Sequence, residues 1–257
     1  MKLGLVTYNL GKDWGLPTLL SMCEKTGYEG VELRTTHAHG VEVALSKAQR
    51  ADVRRRFADS KVALAGLGSA FEYHSADPAE VRRNIEGTKE CVVLAADVGA
   101  PGVKVRPNGL QLDRGIPKER TLEQIGLALR ECGEFAKDYG VEIRLEVHGH
   151  HTCEVPNIRT ILDAASHPNV FVCWNSNPQD VDATGSIAAN YNLVRHWIRL
   201  VHITELVSNY PWRNLFARLA ADHYAGFTLA EVGEPSCEPE RFLRYYRALW
   251  LAYQPRG

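Results

Sequence analysis

Eight strand-like segments alternate with eight helix-like segments along this chain, and no linker or shift in composition interrupts them. That alternation is the strongest constraint on the fold. Each helix must return the chain so that the next strand can lie parallel to the last, with the helices covering the sheet. The spacing predicts strands over residues 3–9, 28–34, 62–68, 103–106, a stretch opening at Arg144, then 170–174, 200–204 and 228–232. Helices are predicted from Pro17 to Gly27, over 46–59, from Asp77 to about Asp97, and within 117–139. Further helices are expected over 157–165, 186–197, 212–224 and 239–253. Asp77-Pro78-Ala79-Glu80 reads as a helix start, with a capping carboxylate, proline at the first position and an acid in the first turn. Eight such units in 257 residues fit a closed α/β (β/α)8 TIM barrel better than an open doubly wound sheet. No G-x-G-x-x-G or P-loop follows the first strand, which argues against nucleotide binding. One domain, residues 1–257, is expected.

The totals narrow the partners. Hydrophobic residues at 45% and charged residues at 24% describe a soluble globular chain with a sizeable core. A net charge of −1, without a basic stripe, leaves no electrostatic footprint for nucleic acid. Six cysteines are scattered with no C-x-x-C pair, as in a reduced protein that buries them as small hydrophobes. The opening MKLGLVTYNLG reads as a strand rather than a signal peptide, and no apolar run reaches membrane-spanning length. A cytoplasmic protein without a membrane partner is expected. The aromatic carboxyl-terminal segment (Tyr245, Tyr246, Trp250, Tyr253) is either a barrel-closing helix or the contact of a homodimer.

The chemistry is expected at the carboxyl ends of the strands. In the fifth strand Ile143, Leu145 and Val147 share one face, while Glu142, Arg144, Glu146 and His148 share the other. A carboxylate and an imidazole on an inward face need a partner, which is a metal, a substrate or a salt bridge. The ends of strands five to eight offer Glu146, Asn175, His202 and Glu231. Three oxygen donors and one imidazole suit a single divalent ion, with Mn²⁺, Mg²⁺, Co²⁺ and Zn²⁺ all compatible. The structural alternative pairs Glu146 and Glu231 with Arg144, Arg106 or Lys104. Glu32, Arg34, Lys104, Arg106, Arg144 and Glu146 have the parity of a polar layer inside a barrel. His37 and His39 fall in a loop over the mouth, and His150 and His151 in a surface loop. Trp174 and Trp212 either stack on a sugar face or pack in the core.

The motifs LEVHGH (ending strand five), CWNSN, VHITE and EVG, together with GYEGVELR in strand two, resemble the xylose isomerase-like TIM barrel superfamily. The likeness is to its sugar (phosphate) isomerase/epimerase branch, related in fold to AP endonuclease family 2. It implies a metal-dependent sugar or keto-sugar isomerase or epimerase, moving protons through an enediolate at the carboxyl-end face. It assigns Glu146 and Glu231 to catalysis, and Glu146, Asn175, His202 and Glu231 to the metal. His148, Arg106, Lys104, Asn177 and Glu205 would contact a small sugar or sugar phosphate. Many members carry Asp on strand six; Asn175 ligates only through its carbonyl oxygen and adds no charge. The three-zinc endonuclease branch fits poorly, because Pro178 stands three residues past Asn175 and Asp222-His223 are adjacent. Two other readings use the same site: a polyol lyase or dehydratase, and a barrel that binds sugar with little or no catalysis.

Overall fold

The computed structural model describes residues 1–255; residues 256 and 257 of the expected domain lie outside the described residues. Strands β1 (Lys2–Val6), β2 (Gly30–Arg34), β3 (Ala63–Glu72), β4 (Gly102–Arg106), β5 (Glu142–Glu146), β6 (Val170–Trp174), β7 (Ile198–Ile203) and β8 (Phe227–Ala230) form a closed parallel barrel in sequence order. Helices α1 (Leu16–Thr26), α2 (Lys47–Ala58), α3 (Pro78–Val98), α4 (Lys118–Lys137), α5 (Val155–Ala165), α6 (Ala188–Val194), α7 (Trp212–Ala221) and α8 (Pro239–Tyr253) cover it. The chain is a single-domain TIM barrel. Asp77 caps α3 as its sequence suggests, accepting the Ala79 N–H at 2.9 Å, with Pro78 in the first turn.

Several boundaries move for local reasons. β1 stops at Val6, where Tyr8 N–H turns back onto the Val6 carbonyl at 2.7 Å, so Asn9 lies in a loop and donates to Gly233 O. β3 runs past Gly68 because Glu72 pairs again with Arg106 after a register shift. α6 is shorter than expected, giving way to a 3₁₀ turn at Arg195–Trp197 before β7.

Most of the core lies between the strands and the helices, built from the outward faces such as Ile143, Leu145 and Val147. Inside the barrel the lining divides. A small apolar plug contains Val6, Ala65, Cys173, Leu200 and Leu229. Beside it stands a buried polar layer of Glu32, Lys104, Arg144, Glu146 and His202, while Arg34 and Arg106 rise half-exposed at the strand ends. The inward parity read from the sequence therefore holds across β2, β4 and β5.

α8 closes the barrel. Tyr246 Oη donates to the Ile203 and Thr204 carbonyls at the end of β7, and Trp250 Nε1 donates to Thr228 Oγ1 at 2.9 Å. Tyr245 points to solvent. Trp174 and Trp212 are buried, Trp174 edge-on to Tyr191, so both pack rather than offering a stacking surface. Among the described residues no helix is long and apolar enough to cross a membrane. All six cysteines are free, and five are buried.

Candidate active site

β5, β7 and the residue after β8 bring Glu146, His202 and Glu231 together, with one potential ligand atom from each lying within 4.8 Å of the others. His202 is the hub. Its Nδ1 lies 3.2 Å from Glu146 Oε1 and 3.6 Å from Glu231 Oε2. Glu231 sits one residue past β8, its backbone held by the Ile203 carbonyl at 2.9 Å. That junction fixes where its carboxylate emerges.

Lys104 supplies the salt bridge. Its ammonium reaches Glu146 Oε2 at 2.7 Å, and both side chains are only 2% exposed. Arg144, the alternative partner, lies opposite Lys104 in the β4–β5 register and is turned to Glu142 and to the Ala65 carbonyl. Burial pushes the Glu146 carboxyl up, but Lys104 and His202 outweigh it and hold its pKa well below the ordinary value. Burial likewise opposes charge on Lys104, and Glu146, Glu32 and Glu231 override it. Burial would also strip His202 of a proton. Cys173 and the carboxylates Glu32 and Glu231 instead raise it well above the usual imidazole value. Cys173, itself pushed to about 11 by burial, is a neutral thiol near pH 7, so the carboxylates are the operative charges.

Glu32 belongs to this cluster, although its sequence suggested only membership of a polar layer. It is fully buried, and its Oε1 lies 3.3 Å from His202 Nε2. Its sequence signals were its parity with Arg34 on β2 and its place in the GYEGVELR motif. What these could not show is that inward side chains of β2 and β7, three strands apart in the closed barrel, meet in the lumen.

Asn175 is buried at the end of β6, and its Oδ1 accepts the Ser176 N–H at 2.9 Å. One lone-pair direction of the oxygen expected to face a metal is thus committed locally. Ser176 Oγ ties this turn to the His202 carbonyl at 2.9 Å.

Of the residues expected to meet substrate, Lys104 is instead buried against Glu146, and the other four are dispersed around the mouth. His148 is half-buried with Nδ1 unpartnered; burial lowers its pKa, with Arg106 and Lys104 adding to the effect against Glu146. Arg106 donates to the Ala70 carbonyl at 3.3 Å and leaves Nε without a partner. Asn177 spends its amide on the Val147 carbonyl at 2.6 Å, pinning the β6 turn to the end of β5. Glu205 is half-buried, and burial raises its pKa with help from Glu234. His39 is buried in loop packing between Arg34 O and Val41 N, His37 is half-buried, and His150 and His151 are exposed. Gly149 lets the loop after β5 pass close to the loop after β4. Its φ is 94°, and a Cβ there would stand 2.3 Å from the Asn108 carbonyl oxygen.

A closed parallel barrel with convergent acids and an imidazole at its strand ends defines a class of (β/α)8 proteins that carry their chemistry on that face. The model of the family described as xylose isomerase-like TIM barrel matches residues 20–249, and the chain belongs to that family. An inosose isomerase from Bacillus velezensis is 28% identical over 160 residues, 61% of this chain and 56% of the relative. The chain therefore spans less than two thirds of that relative's length. Among solved structures, a D-psicose 3-epimerase from Clostridium cellulolyticum H10 superposes with a TM-score of 0.83 at 13% identity, covering 100% of both chains. The IolI protein solved with a bound zinc atom superposes at 0.77 with 18% identity, covering 98% of this chain and 96% of that one. At these identities the solved structures speak to the fold.

Proposed function

We propose that this chain is a metal-dependent isomerase or epimerase of small sugars, keto-sugars or their phosphates. The observation that carries this reading is the convergence of Glu146, His202 and Glu231 within 4.8 Å at the carboxyl-end face. Their donor chemistry fits one divalent ion. Glu32, Glu146 and Glu231 against Lys104 would leave the cluster at −2 once His202 gives up its proton to ligate, and one such ion neutralises that charge. Glu146, His202, Glu231 and the Asn175 carbonyl would hold it, with Mn²⁺, Mg²⁺, Co²⁺ and Zn²⁺ as candidates. The zinc reported with the IolI protein supports a metal of this kind. When bound, the ion supplies Lewis-acid stabilisation of the negative charge that develops on a substrate carbonyl oxygen.

The chain's own residues would do the rest. Glu146 and Glu231 exchange protons with the substrate on either side of the reacting carbon. Lys104 keeps Glu146 ionised. His148, Arg106 and Glu205 surround the opening and bind substrate hydroxyls, with Arg106 also suited to a phosphate, while Asn177 holds the β6 turn against β5. The inosose isomerase relative and the psicose epimerase fold neighbour make cyclic and open-chain keto-polyols the first compounds to test.

The test is metal analysis of the purified protein followed by turnover of those compounds. Glu146→Gln and Glu231→Gln should each lower kcat by 10²-fold or more while circular dichroism stays native. Full activity in both variants would sink the mechanism. Product mass separates isomerisation, which conserves it, from a dehydratase, which releases water.

A further inference from the structure

Glu32 on β2 is fully buried, and neither of its carboxylate oxygens has a hydrogen-bond partner. A buried carboxylate without a partner is strongly disfavoured, so its retention at the barrel centre calls for a counterpart. Across the lumen stands His202, also fully buried, whose Nε2 is likewise without an aligned partner and lies 3.3 Å from Glu32 Oε1. The two orphaned atoms face each other. The opposite edge of the same ring presents Nδ1 to Glu146 and Glu231. One imidazole thus looks toward the cluster on one side and toward Glu32 on the other.

The space that holds Glu32 is kept open by β3. A Cβ on Gly68 would stand 2.7 Å from Glu32 Oε1, closer than two such atoms can approach. Glycine at that position lets the carboxylate lie flat against the strand and reach His202.

We propose that Glu32 is a positioning residue for His202. It accepts a hydrogen bond from Nε2–H, so that Nδ1 keeps its lone pair and points at the cluster formed with Glu146 and Glu231. The inference rests on the metal reading above. A carboxylate on the far nitrogen of a ligating histidine fixes the tautomer and ring orientation, and its loss typically lowers metal affinity by about 10–100-fold.

The experiment titrates Co²⁺, as the probe, into metal-free protein and follows binding by calorimetry and by the visible Co²⁺ spectrum. Glu32→Gln keeps the volume and removes the charge; its Co²⁺ affinity should fall by about 10-fold or more, with a changed visible spectrum. Gly68→Ala keeps the glutamate in the chain but crowds its carboxylate out of the slot, and should shift affinity in the same direction. It also decides the matter if Glu32→Gln fails to fold. Nitrogen-15 NMR of the Co²⁺-free zinc-loaded wild type should show His202 protonated at Nε2. Co²⁺ affinity within twofold of wild type in a folded Glu32→Gln or Gly68→Ala variant would overturn the inference alone. A wild type that takes up no Co²⁺ would overturn it together with the metal reading.

Discussion

Lys104 and Glu146 form an ion pair with almost no solvent around it, and such a pair is costly to break from one side. Lys104→Met should therefore destabilise the fold by about 3–5 kcal/mol, read from urea unfolding, because Glu146 is left charged in a dry interior. A loss under about 1 kcal/mol would mean that His202 alone satisfies Glu146. The choice of Lys104 among three basic candidates was not legible in the sequence. Lys104, Arg106 and Arg144 share inward parity, and parity carries no information about depth. Barrel register decides it: Arg144 is placed against Glu142 and the Ala65 carbonyl, and Arg106 rises to the rim.

At the scale of elements, the turns after β6 and β7 are tied into one unit above the barrel. Asp180, in the 3₁₀ turn Pro178–Asp180, is fully buried; it accepts the Asn177 N–H and the Tyr210 hydroxyl, both at 2.9 Å. Tyr210 in turn accepts from Trp174 Nε1 at 3.2 Å. Burial outweighs these two donors and pushes the Asp180 carboxyl up to about 7, against about 3.9 in an unfolded chain. The folded protein therefore holds this proton more tightly than the unfolded one. Its stabilisation is complete below about pH 4 and is lost as pH rises to about 7, with an upper limit of about 4 kcal/mol. Urea unfolding at pH 5.5 and pH 8 should show wild type weaker at pH 8, and Asp180→Asn should remove that part of the slope. An unchanged slope in the variant would refute the assignment. Nothing in the local sequence marks Asp180 as buried. Pro-Gln-Asp reads as a solvated turn, and its cover comes from Tyr210, 30 residues later.

For the whole molecule, the proposed metal, if held by residues from β5, β7 and the end of β8, would bridge elements far apart in sequence and should stabilise the folded barrel as a unit. Adding Mn²⁺, Co²⁺ or Zn²⁺ to metal-free protein should raise the melting temperature. The stabilisation would be about 2.7 kcal/mol when the ion is at 100 times its Kd. Glu146→Gln should reduce that shift. A melting temperature indifferent to all three ions would count against the metal reading. The closing contacts of α8 operate at the same scale, since Tyr246 and Trp250 fasten the last helix to β7 and β8.

The order of strands and helices was readable from the sequence because hydrophobic period and helix caps are local properties. The capped start at Asp77 and the inward face of the fifth strand were visible for the same reason. The four strand-end groups Glu146, Asn175, His202 and Glu231 could be named from their places at the ends of consecutive strands. Which atoms meet is a non-local matter. Barrel closure wraps β2 and β7, three strands apart, around one lumen, which brings Glu32 to His202, and register gives Lys104 rather than Arg144 to Glu146. The turn after β6 leaves the Asn175 side chain bonded to its own neighbour. Distances across a barrel depend on closure and shear, which no stretch of sequence contains by itself.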